Sequence, residues 1–216
     1  MGAPLKFPTT TEAVQDLLKQ IGIDGIRYEE IFIASYDGPM PQLHKHLGEY
    51  ESIDELNHLA CLLSELNEYE LEVFEAVMDS GEYTGSVKDL INLAQNLDSY
   101  NFYSDIHTEE ELGRMYIQEL EAVPVPEHLI DYIDYEAYGR DVRINEDGHL
   151  APGGYVVGGG SFVEHYHGIE DIPDEHRVFS MPKVPIREQM AAYQEMANRA
   201  SLTTERSAPK VDREER

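Results

Sequence analysis

Forty-three carboxylates, nine imidazoles and one thiol are the groups with which this 216-residue sequence could do chemistry. The histidines include two close pairs, His44 and His46 in "HKH" and His165 and His167 in "EHYHGIED", and either pair could offer two imidazoles to a metal. A zinc site asks for more, an HExxH helix or cysteines at ligand spacing, and the chain has neither. Carboxylates are so numerous that pairs arise at every separation, so pairing alone singles out no acid–base couple. Cys61 lies in the apolar run "LACLLSEL" with no basic neighbour in sequence, so a buried, inert thiol is expected rather than a nucleophile. The glycines of "GGYVVGGGSF" miss the G-x-G-x-x-G spacing and no capped helix follows them, which leaves turns and hinges as their use. No G-x-S-x-G, Cys–His arrangement or calcium-binding loop is present. The expectation is a protein without metal or cofactor, and not an enzyme.

What remains is the spacing of the carboxylates themselves. In "NEYELEVFEAVMDSG", residues 67–81, Glu68, Glu72, Glu75 and Asp79 recur at intervals of four, three and four, one stripe of a helix. Leu71, Phe74, Val77 and Met78 form the other stripe, expected to face a core. No Lys or Arg stands among these carboxylates, and like-charge neighbours cost about 0.2–0.5 kcal/mol per pair. Such a helix repels itself. Carboxylates so spaced lie about 5 Å apart along the axis, against about 3.4 Å for phosphates along one DNA strand. Stripes on successive helices would bring the density nearer to that of a duplex.

The charge is also unevenly distributed. Residues 181–216 hold 7 basic and 6 acidic residues, which leaves 9 and 37, a net −28, for residues 1–180. From His46 to Gly113 there are 17 carboxylates and a single base, Lys88. This excludes ordinary phosphate binding, so no direct contact with nucleic acid is expected and a basic partner is. The single cysteine fits a reducing bacterial cytoplasm, and no stretch reads as a signal peptide or a membrane span.

The elements that would carry these groups read as follows. Thr9 and Glu12 predict a capping box and a helix ending at Gly22, and "YEEIFIAS" predicts a strand. "YDGPMPQLHKHLGEY" predicts a loop. Ser52 with Glu55 predicts a helix with Ile53, Leu56, Leu59, Leu63 and Leu66 on its apolar face, and Asn67 with Glu70 opens the acidic helix that Gly81 closes. Ser86 with Asp89 and Thr108 with Glu111 start two more, and Pro126 opens a last one that Gly139 stops. "RDVRINEDGHLAPGGYVVGGGSF" predicts two or three strands, "VPIREQMAAYQEMANRA" a helix, and "SLTTERSAPKVDREER" a flexible tail. The class is α+β, with mixed α/β ends around a helical middle.

The segments "LGEYESIDELNHLACLLSELNEYELEVFEAVMDSGEY", "NLDSYNFYSDI", "EEELGRMYIQEL" and "PEHLIDYIDYEAYGRDV" together resemble the ArdA antirestriction proteins, in order and spacing over residues 7–165. The resemblance implies a DNA mimic of mobile genetic elements that occupies the DNA-binding groove of type I restriction–modification enzymes, above all the methyltransferase core with its specificity subunit. It implies an elongated, curved chain of three small domains, here 1–66, 67–106 and 107–181, dimerising through the last, with 182–216 as a helix and tail. The phosphate surrogates carried over are Glu65, Glu68, Glu70, Glu72, Glu75, Asp79, Asp98, Asp105, Glu109, Glu110, Glu111, Asp131, Asp134, Glu136 and Asp141. The family's opening β-strand segment before "PLKFPTTTEAV" is missing, so a shortened first domain with an unpaired sheet edge is expected. The rival reading is an acidic scaffold or chaperone that sequesters basic nucleic-acid-binding proteins without shape specificity.

Overall fold

The computed structural model describes residues 2–26, 30–182 and 184–206. Two units divide it: Met1–Phe32 with Val178–Arg216, and Ile33–Arg177.

In the first unit, helix α1 spans Thr11–Ile21. Its cap is Thr10 rather than Thr9: the Thr10 hydroxyl accepts from the Ala13 amide at 3.3 Å, and Gly22 closes the helix at φ 84°. Val14 and Leu18 are buried, and the Gln15 side chain donates to the Ser180 hydroxyl at 3.2 Å. The C-terminal helix spans Ile186–Arg206. It continues through 201–206, where a flexible tail was expected: "SLTTER" has no proline or glycine to end the helix that the Ala, Met, Gln and Glu of residues 188–200 favour. The rest of that tail, 207–216, lies outside the described residues.

The second unit carries the acidic helices. Residues 30–35 of "YEEIFIAS" are in no strand, and its first two residues fall outside the described ones. The Ile33 amide donates to the Glu49 carbonyl at 2.7 Å, but no strand forms among the described residues here; β-formers without a partner strand do not make a sheet. The expected loop of 36–50 contains a 3₁₀ turn, Leu43–His46. Then come α2 (Ile53–Glu65), α3 (Glu68–Ser80) and α4 (Val87–Ala94). Strand β1 (Tyr100–Tyr103), α5 (Glu109–Arg114) running on as a π-helical turn (Met115–Glu119), and a 3₁₀ segment (Glu127–Tyr132) follow. Helix α6 (Tyr135–Asn145) and strands β2 (His149–Ala151) and β3 (Gly154–Gly158) complete the regular structure before two short 3₁₀ turns.

The three strands form one antiparallel sheet in the order β1-β3-β2, with Tyr103 and Leu150 both opposite Tyr155. The stretch read as two or three strands from Arg140 is thus helix to Asn145 and then a hairpin. The third strand is "YNFY", too short and too enclosed by helical patterns to stand out. Tyr155, wholly buried, joins Ile106, Leu112, Met115, Val142 and Val157 in the core between this sheet and α5 and α6.

Two details of the helices differ from the sequence reading. On α2, Leu56 and Leu59 are buried as expected, but Asn57 and His58 are buried where Ile53, Leu63 and Leu66 are only partly covered. Asn57 donates to the His176 carbonyl at 3.0 Å, so the covered face is turned toward the 3₁₀ turn Asp174–His176. Gly139 does not stop the last helix: it lies inside α6, which is capped by Asp134.

Candidate partner-binding acidic surface

Helix α3 forms because both of its ends are written into the sequence. The Asn67 side chain accepts from the Glu70 amide at 3.0 Å while Glu70 accepts from the Asn67 amide at 2.8 Å, and Gly81 closes the helix at φ 86°. Val73, Phe74, Ala76, Val77 and Met78 are buried, a wider arc than the stripe read from sequence, with Leu71 at its partly exposed border. The arc is wide because the helix lies over both β2 and β3. On the other face Glu68, Glu72 and Glu75 are exposed, and their side chains make no ion pair or hydrogen bond among the described residues. Asp79 differs: its carboxylate meets Nε2 of His149 on β2 at 3.1 Å.

The N-terminus of α5 is built the same way. Thr108 accepts from the Glu111 amide at 3.1 Å, and Glu111 accepts from the amides of His107 and Thr108 at 2.8 and 3.0 Å. Those bonds, the one from His107 foremost, hold the Glu111 carboxyl below its ordinary value. Glu110 pairs with Arg114 at 2.8 Å, and the Arg114 guanidinium also sits 4.3 Å from the centre of the Tyr135 ring on α6. Glu109 takes both Nε and a terminal nitrogen of Arg143, at 3.2 and 2.9 Å, across the two helices. On α6 Asp134 caps the helix by accepting from the Ala137 amide at 3.0 Å, while Glu136 and Asp141 are exposed.

The fifteen carboxylates therefore fall into two sets. Glu70, Asp79, Glu109, Glu110, Glu111 and Asp134 are engaged in caps or ion pairs. Glu65, Glu68, Glu72, Glu75, Asp98, Asp105, Asp131, Glu136 and Asp141 are exposed, with no such partner among the described residues. The few cations of this unit are mostly spoken for: Lys88 pairs with Glu164, Arg143 with Glu109, and Arg177 turns to the carbonyls of Ile169, Glu170 and Ile172. Unneutralised carboxylates on capped helices give a field of fixed negative charges, suited to meeting Arg and Lys of a partner.

The other chemical candidates are placed differently. The His44 ring stacks on Tyr36, and His167 pairs with Asp171 at 3.1 Å. Among the described residues no group of three His, Cys, Asp or Glu could hold a metal ion. Cys61 is partly rather than fully buried, and burial followed by the nearby Glu65 pushes its thiol above the ordinary value, away from thiolate chemistry. No described helix is long and apolar enough to cross a membrane.

Sequence reasoning missed the residues that hold the irregular segment after β3. Asn92 on α4 and Asn96, four residues on and just past the helix end, behave as strand partners. Asn92 accepts from the amides of His165 and Tyr166 and donates to the Tyr166 carbonyl, at 2.8–2.9 Å. Asn96 accepts from the Val163 amide and donates to its carbonyl, both at 2.8 Å. Their signal was legible in principle: two amides at i, i+4 on the apolar face of "VKDLINLAQNL" need buried partners. Glu55, read as half of a capping box, instead accepts from the Tyr166 hydroxyl at 2.8 Å, leaving Ser52 to cap α2 alone.

The chain matches the family model described as antirestriction protein (ArdA) over residues 1–157, a span that contains all fifteen carboxylates. No curated protein matches it.

Proposed function

The chain belongs to the ArdA antirestriction family, and on that premise we propose that it inhibits type I restriction–modification enzymes by taking the place of their DNA. The observation that carries the mechanism is the second set of carboxylates: Glu65, Glu68, Glu72, Glu75, Asp98, Asp105, Asp131, Glu136 and Asp141, exposed and unneutralised on capped helices and their connections. They would meet the Arg and Lys side chains of the methyltransferase core and its specificity subunit that otherwise contact phosphate. Positions fixed in advance spare the complex the ordering cost that a disordered acidic tail would meet.

The proposal includes an elongated, curved chain of three small domains, 1–66, 67–106 and 107–181, acting in the bacterial cytoplasm as a homodimer through the C-terminal part. Strand β3 is paired on both sides, so a dimer made by strand addition would use the outer edge of β2 or β1. The test is a mobility or filter assay of a type I enzyme on its DNA with increasing protein. Displacement of DNA supports the reading; enzyme–DNA complexes that survive a large excess at moderate salt overturn it. Light scattering that gives a monomer mass at micromolar concentration would overturn the dimer alone.

A further inference from the structure

Two helices that both carry carboxylates, α5 and α6, touch backbone to backbone. A Cβ placed on Gly113 would stand 2.0 Å from the Tyr135 carbonyl oxygen, and one on Gly139 would stand 1.8 Å from the Glu109 carbonyl oxygen and 2.7 Å from the Gly113 nitrogen. Both glycines are buried, and both sit inside helical segments, where glycine is the poorest residue after proline. Their use is therefore close approach. Two guanidiniums tie the flanks of the contact: Arg143 of α6 reaches back to Glu109 of α5, and Arg114 of α5 lies between Glu110 and the face of Tyr135. The elements drawn together carry Glu109, Glu110 and Glu111 on one side and Asp134, Glu136 and Asp141 on the other.

Resting on the function proposed above, we infer that Gly113 and Gly139 are positioning residues of the inhibitory surface, setting where the unneutralised Glu136 and Asp141 of α6 stand relative to α5 and to Asp105 ahead of it. Carboxylates on separate helices repel, and only a contact without side chains lets the helices approach this closely while the two arginines neutralise the inner acids. A methyl group at either glycine must open the crossing by about 1.5 Å or more to reach ordinary contact distance. That displaces Glu136 and Asp141 relative to α5 without changing a single charge.

The test compares Gly113→Ala and Gly139→Ala with Val87→Ala, a core truncation on α4 away from the crossing, for thermal stability and for inhibition of a type I enzyme. At equal folded fraction the glycine variants should inhibit on the order of tenfold less well, the loss of several exposed ion pairs at once, while Val87→Ala keeps its potency. Arg143→Gln covers the case in which the alanines do not fold, since it inserts no atom into the crossing. It makes the chain more negative, so charge counting predicts equal or stronger inhibition; positioning predicts weaker inhibition, restored by Arg143→Lys. Folded glycine variants, or Arg143→Gln, with parental potency would overturn the inference while leaving the functional reading intact. A parental chain that does not inhibit would overturn both.

Discussion

The resemblance carries Glu70 and Glu111 over as phosphate surrogates, yet each spends its carboxylate on backbone amides at its own helix start. The cleaner candidates are Glu68, Glu72 and Glu75. Replacing these three with Gln removes the repulsion between 68 and 72, between 72 and 75, and between 75 and 79, about 0.2–0.5 kcal/mol each. It also removes a favourable charge, Glu68, from the first turn, worth about 0.3–1 kcal/mol. The two effects offset, so melting temperature should stay within a few degrees of the parent while inhibition weakens. Asp79 is best left in place, because losing its contact with His149 would blur the result. Unchanged potency in the folded triple variant would remove α3 from the proposed surface.

His58 gives a second prediction at the same scale. Its Nδ1 lies 2.8 Å from that of His176, and its pKa is lowered, first by burial and then by His176, with Glu65 pulling the other way. The unfolded chain therefore takes up a proton that the folded chain resists. The contribution of a neutral His58 is complete above about pH 6.5 and is lost progressively as pH falls below that value. The chain as a whole sheds negative charge over the same range, so the test is a comparison. Urea midpoints of the parent should fall more between about pH 7.5 and about pH 5.5 than those of His58→Gln; equal falls would contradict the assignment.

At the level of elements, the sequence marks helix starts more plainly than what lies between them. Asn67, Ser86 and Thr108 cap as read, because each cap is local: a side-chain oxygen and an amide three residues on. Thr108→Ala should cost about 1 kcal/mol for that reason, measured as a shift in denaturant midpoint. Strand β1 and the segment after β3 could not be read in the same way, since their partners lie some 50 to 75 residues away. The Asn92 amide replaces a strand's worth of pairing there, and Asn92→Ala would leave the Tyr166 carbonyl and two amides without it. At about 1–3 kcal/mol for each buried group left unpaired, the cost should reach about 3 kcal/mol or more. A loss below about 1 kcal/mol would show that the segment is held by other contacts. Gly139 was misread for a related reason: glycine in a helical pattern looks like a stop, and its true role depends on a second helix.

For the whole molecule, the charge imbalance was visible at once, and so was the family's pattern of segments. Which carboxylates are engaged and which stay unneutralised was not, because Arg143–Glu109 and His149–Asp79 join residues distant in sequence. The proposed mechanism depends on that distinction and on many weak exposed charges acting together, so its signature is electrostatic competition. The most direct measurement is displacement of DNA from a type I restriction enzyme by the intact chain, repeated over a series of salt concentrations. A DNA mimic displaces the duplex competitively, with its own affinity falling as salt rises but less steeply than that of DNA, because it has no condensed counterions to release. Inhibition that leaves the enzyme–DNA complex intact, or enzyme binding indifferent to salt, would contradict the account.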